Sequence, residues 1–102
     1  MKKRFKVVRN PIVATEVQEA VNYYFRETGN HKLGKRFFAT VNKQIKALKT
    51  DALLYAVKYD EIRCVNISKF PYRAHYTLNE ESKTVMVEAV INTSKDPDNW
   101  VK

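Results

Sequence analysis

The residues that staple or punctuate a chain are few here: one cysteine, two glycines and three prolines in 102 residues. A single Cys64 excludes an intramolecular disulfide and supplies no metal-ligand set, so neither metal nor cofactor is expected. Its place between Arg63 and Val65, in an apolar stretch, reads as a buried thiol. So little Gly and Pro excludes long flexible linkers, and the chain reads as one domain over 1–102. Apolar runs are short, which excludes a membrane-spanning helix. Met1-Lys2-Lys3-Arg4 leads towards a strand and not into the apolar core of a signal peptide, so a cytoplasmic location is expected. Acidic residues are also scarce, 11 against 19 Lys and Arg, leaving a net charge of +8. That imbalance favours an acidic partner, whether nucleic acid, acidic peptide or acidic protein surface, and does not choose among them.

What is present is patterned. Over Tyr72–Asn79, Tyr72, Ala74, Tyr76 and Leu78 alternate with Arg73, His75, Thr77 and Asn79, the period of a half-buried strand. Over 85–92, Val85, Val87, Ala89 and Ile91 line one face of a second strand, and Met86, Glu88, Val90 and Asn92 the other. The polar loop Asn79-Glu80-Glu81-Ser82-Lys83 joins them as a hairpin. Pro71 cannot donate to a ladder and marks the entrance of the first strand.

Upstream, residues 4–9 read as a short strand. Asn10-Pro11 is a helix start, and Val13, Val17, Ala20, Val21 and Tyr24 give one apolar face up to a stop at Gly29-Asn30. Glu16 and Glu19 fall in the early turns, where the helix dipole favours them. Periodicity predicts a second helix over 33–49, burying Phe37, Phe38, Val41, Ile45 and Leu48 and exposing Lys32, Lys35, Arg36, Lys43 and Lys46. The exposed lysines are first of all a solvated face. A few residues separate the helices, which predicts an antiparallel helical hairpin. Leu53 to Val57 reads either as a strand or as a loop pinned to the core by its side chains. A strand over 62–67 follows. The element order is β-α-α-β-β-β, an α+β fold with a helical hairpin packed on a small antiparallel sheet and the first strand at an edge.

The ordered set Ile62-Arg63, Phe70-Pro71-Tyr72-Arg73-Ala74-His75-Tyr76, Ala89-Val90-Ile91-Asn92-Thr93-Ser94-Lys95-Asp96-Pro97 and Trp100 resembles the RelE/ParE superfamily of bacterial type II toxins. Tyr23-Tyr24 late in the first helix and Leu33-Gly34-Lys35-Arg36-Phe37 opening the second extend the likeness over almost the whole chain. The resemblance implies a toxin of a toxin-antitoxin (plasmid stabilisation) system, wrapped and blocked by a cognate antitoxin, which in turn carries any DNA binding. Its target would be the ribosome with its mRNA in RelE-like members or DNA gyrase in ParE-like ones.

Cutting RNA without a metal requires a base, a cation for the phosphorane charge and an acid. Where RelE-like members carry Arg at the end of the second strand, this chain has Ile67-Ser68. After the last strand it has Lys95, and near the C-terminus Trp100 replaces a Tyr. An indole N–H only donates, so Trp100 cannot act as a general acid or base. The likeness is therefore closer to the ParE side, and the protein leans towards a binding inhibitor and not an enzyme. If it is an enzyme, it is a metal-independent endoribonuclease using Arg73, His75 and Lys95. Candidate target- or antitoxin-binding residues are Arg63, Arg73, His75, Lys95 and Trp100. Arg63 and Arg73 are expected on the outer sheet face, either on a partner's carboxylates or phosphates or paired with Glu61 or Glu88. His75 reads first as part of a polar strand face, His31 as an exposed residue of the interhelical turn, Trp100 as a packing anchor, and Tyr72 and Tyr76 as core. An apolar groove for the antitoxin is expected between the first helix and the sheet edge.

Overall fold

The computed structural model describes residues 4–95. Strand β1 (Lys6–Arg9) leads into helices α1 (Ile12–Thr28) and α2 (His31–Asp51). Strands β2 (Val57–Tyr59), β3 (Ile62–Asn66), β4 (Tyr72–Asn79) and β5 (Thr84–Asn92) follow, with short 3-10 turns at Ala52–Leu54 and Thr93–Lys95. The sheet order is β1-β5-β4-β3-β2. The α+β arrangement of two helices on one sheet is as expected, with β1 at an edge. Two details differ from the sequence reading. The sheet is mixed, because β1 runs parallel to β5; the two helices between β1 and the rest supply the long crossover that parallel pairing needs. There is also a fifth strand, β2, in the segment read as irregular.

Local chemistry sets the start of both helices and the end of α1. The Asn10 Oδ1 accepts from the Ile12 N–H at 3.0 Å, ahead of α1. Gly29 closes α1 in the left-handed region, φ 65°, its N–H donating to the Phe25 carbonyl. Asn30 caps α2 by accepting from the Lys32 N–H at 2.7 Å, so α2 starts two residues earlier than periodicity indicates and His31 lies inside it. The exposed His31 ring rests on Phe25, with centroids 4.1 Å apart. The helices touch at Gly34, where an added Cβ would sit 3.2 Å from the Val21 carbonyl oxygen.

The apolar stripes meet the sheet as the spacing requires. Phe37, Val41, Ile45 and Leu48 are fully buried, with Val13, Val17 and Ala20 from α1 and Val65, Ile67, Ala74, Tyr76, Val85, Val87 and Val90 from the strands. Each of the Val, Leu, Ile and Phe side chains is worth about 1.5–3 kcal/mol of transfer free energy. Phe38 is a correction: it is 52% exposed, because it sits one helical step round from Phe37, at the margin of the stripe. The face expected for the last strand also changes partway. Opposite His75 and Tyr76 the register jumps from Ala89 to Val87, a β-bulge at Glu88. Val85 and Val87 point to the core before it and Val90 after it, while Ala89 falls on the other face.

The segment after α2 is held both by Ala52 and Tyr55, which pack on the core, and by its backbone carbonyls. Leu53 and Leu54 are exposed. The Tyr76 hydroxyl donates to the Ala52 carbonyl at 2.6 Å, and the Arg63 guanidinium to the Tyr55 carbonyl at 2.6 Å. Asp60 and Glu61, both with positive φ, make the two-residue turn that folds β2 onto β3.

Candidate functional site

The registers decide which candidate side chains share a face. Directly paired residues of antiparallel strands point the same way. Arg73 lies opposite Asn66 and His75 opposite Cys64, all on the face away from the helices. Arg63 lies opposite Tyr76 on the helix side, where it is held by the Tyr55 carbonyl. The expectation that Arg63 and Arg73 share the outer face therefore fails: Arg63 is two residues before buried Val65 in β3 and shares its phase. Its partner is a backbone carbonyl, in place of the Glu61 or Glu88 pairing considered above.

On the outer face, Arg73 Nε donates to Asn66 Oδ1 at 2.8 Å. His75 is 1% exposed and is the buried polar residue of the sheet. Its Nδ1 lies 3.0 Å from the Tyr59 hydroxyl and 3.4 Å from Cys64 Sγ, with the Tyr59 ring set edge-on. A deprotonated Nδ1 accepts from the phenol and a protonated one donates to it. His75 is therefore an enclosed, hydrogen-bonded group and not part of a solvated polar strand face. Cys64 is the buried thiol that was expected.

Lys95 ends the 3-10 turn Thr93–Lys95 that follows β5. Trp100 lies outside the described residues. Of the candidates for phosphate chemistry, Arg73 and His75 are brought to one face and Arg63 is carried to the other. Tyr72 and Tyr76 are core or near-core as read, Tyr72 packing on Tyr24 and Phe37. Tyr59, Cys64 and Asn66 complete the outer cluster. Nothing in the local sequence signals them, since the strand that carries Tyr59 has only three residues.

Beside this cluster a cavity of about 340 Å³ opens between the end of β3 and the segment before β2, with Arg73, Asn66, Cys64 and Lys58 on its wall. Gln44 and Tyr55 also line a second cavity, on α2. The Gln44 amide acts as a clamp: Nε2 donates to the Asn66 carbonyl at 2.8 Å, and Oε1 accepts from the Ser68 N–H at 2.7 Å.

A groove lies between the first helix and the sheet edge, but it is not the apolar one expected. It has a volume of about 470 Å³ and includes Glu16, Tyr23, Arg26, Tyr72 and Val90. β1 pairs with β5 only up to Val87, so the later edge of β5 faces α1. There Glu16 accepts from the Val90 N–H at 2.9 Å, which gives it a tertiary role in place of the helix-dipole role expected of it. Burial raises its carboxyl above the usual range; the Val90 N–H opposes this and Glu19 adds to it. The groove is lined by charge as well as carbon. The most exposed large apolar residues lie elsewhere: Phe38, and Leu54 and Val57 beside the β2 edge.

Among the described residues, no cluster of three or more His, Cys, Asp or Glu could hold a metal ion, and no helix is long and apolar enough to cross a membrane.

Neither a protein-family model nor a curated protein matches the sequence. The fold does match. The chain is similar to a chain of the chromosomal ParDE TA system from P. aeruginosa, with a TM-score of 0.74 and 13% identity, covering 87% of this chain and 96% of that one. At that identity the likeness is one of fold: two helices on a mixed five-stranded sheet.

Proposed function

We propose that this protein is the toxin of a type II toxin-antitoxin pair, that it inhibits its target by binding, and that a cognate antitoxin neutralises it in the cytoplasm. The observation that carries the reading is the shared fold with a ParDE chain over nearly the whole length of both. The +8 charge adds to it, since an acidic antitoxin or target would be held by complementary charge. DNA gyrase is the target we assign, on the ParE-like ending of the sequence.

Binding is favoured over RNA cleavage by the setting of the imidazole. A general base must reach the proton it removes. His75 is enclosed with its Nδ1 beside Tyr59 and Cys64, and Arg63 lies across the sheet from it. Arg73, held by Asn66 on the outer face, is the guanidinium we assign to partner carboxylates, and Lys95 and Trp100 are the further binding residues we assign from the sequence. The groove between α1 and β5 is the site we assign to the antitoxin.

The test is a paired assay of the purified protein. We expect loss of gyrase supercoiling, no cuts in translated message by primer extension, and growth arrest on expression that co-expression of a cognate antitoxin relieves. A-site cuts that disappear in Arg73→Ala, His75→Ala or Lys95→Ala, with supercoiling intact, would replace this reading by the ribosome-dependent endoribonuclease.

A further inference from the structure

The second cavity, about 450 Å³, lies between α2 and the loop joining β3 to β4. Its floor is carbon: Leu48, fully buried, with Ala47 and the half-buried Phe70. Its rim is cationic. Arg36 and Lys43 belong to the face of α2 that also carries Thr40, Ala47 and Asp51, at helical spacings of four, three, four and four. Lys69 meets them from the loop, and all three cations are exposed. One carboxylate, Asp51, sits among them, and it accepts from the Thr50 hydroxyl at 3.0 Å. Lys69 holds a left-handed backbone, φ 68°, which costs a lysine about 1 kcal/mol where glycine or asparagine would cost less. The Gln44 clamp fixes this loop to α2, so the cavity is walled by backbone held on both sides.

We infer that this cavity is a docking site for an acidic segment of a partner protein, one that inserts an apolar side chain onto Leu48 and Phe70 while its carboxylates meet Arg36, Lys43 and Lys69. The floor argues against a nucleic acid. Bases bind such grooves by stacking on open aromatic faces. Phe70 is turned edge-on into the rings of Tyr24 and Phe37, with centroids 5.5 and 5.1 Å away; Tyr55, the other ring of the lining, is packed against the core, and Leu48 and Ala47 are aliphatic. An apolar anchor rimmed by opposite charge is the arrangement that carries most of the energy at protein interfaces. This site is separate from the α1–β5 groove and does not depend on the toxin reading.

The test uses three fluorescein-labelled probes of equal charge: a glutamate-rich 15-residue peptide with one Leu and one Phe four residues apart, the same peptide with both replaced by Ser, and a single-stranded oligonucleotide. The anchored peptide should bind at least about tenfold tighter than the serine peptide. Lys43→Glu, Lys69→Gly and the cavity-filling Ala47→Phe should each weaken it about tenfold. Lys46→Glu, an equal charge change outside the cavity, should weaken it by no more than about twofold. Lys69→Gly suits the left-handed backbone, so it remains folded if another variant does not. Equal binding of the two peptides, preference for the oligonucleotide, or insensitivity to the cavity variants overturns the inference. Growth arrest is read separately, so a failed titration leaves the toxin reading standing, and a harmless protein leaves this site standing.

Discussion

The two faces of the central sheet are both buried at β4 yet are built of different material. On the helix side, Ala74 and Tyr76 pack into Phe37, Ile45, Leu48 and the valines of β5, with one polar atom, the Tyr76 hydroxyl, satisfied by the Ala52 carbonyl. On the other side, His75, Cys64, Tyr59, Asn66 and Arg73 make a hydrogen-bonded cluster. The first face is held by area and packing, and the second by geometry. An apolar core tolerates loss of a hydroxyl more readily than loss of a ring. A polar cluster responds in the opposite sense, through the partner left behind.

The largest expected effect is on the packed face. Phe37→Ala removes a fully buried ring that also touches Tyr24, Phe70 and Tyr72, and should cost about 3–5 kcal/mol in chemical denaturation. A loss under 1 kcal/mol would mean the helix side is not the dominant core. Next is Tyr76→Phe, which keeps the ring and strands the buried Ala52 carbonyl; about 1–2 kcal/mol is expected by the same measurement. The same deletion on the outer face, Tyr59→Phe, should cost less, about 0.5–1 kcal/mol, because Cys64 also borders His75 Nδ1. If Tyr59→Phe proved the more costly of the two, the outer cluster and not the helix side would anchor the strand.

The smallest effects are read by pH. Burial, with Tyr72 and Tyr23 nearby, pushes the Tyr24 phenol up from 10.0 to about 12, and burial raises Tyr76 further. The folded protein then holds protons that the unfolded chain releases, so stability should fall as pH rises from 10 through 12. Phenolate absorbance should show Tyr24 ionising late; a single transition near 10 for all tyrosines would contradict this. Glu16 follows the same sign at lower pH. Its raised folded value means a contribution present below 4.5 and lost as pH rises through the folded value. Glu16→Gln should flatten that step while keeping an acceptor for the Val90 N–H.

Much of this architecture is legible residue by residue. Asn10-Pro11 and Gly29-Asn30 bound the first helix because capping is local chemistry. The Phe37–Val41–Ile45–Leu48 stripe and the Tyr72–Leu78 alternation are fixed by backbone period alone. β2 was not legible as a strand, since three residues carry little pattern and its turn is Asp60-Glu61, not Asn-Gly. The faces of Ala89 and Arg63 were not legible either. One depends on a bulge opposite His75, and the other on which phase of an unalternating strand meets the helices.

By itself, then, the chain determined its helices, its hairpin, its apolar stripes and its excess of positive charge, because each depends on neighbours within a turn or a strand pair. Only the tertiary structure decided that β1 runs parallel to β5, that Glu16 serves the Val90 N–H 74 residues away, and that His75 is enclosed beside a tyrosine 16 residues upstream. Such contacts follow from strand register and from the shape of the packed layers. Those are set by the sum of many distant interactions, and no local spacing records them.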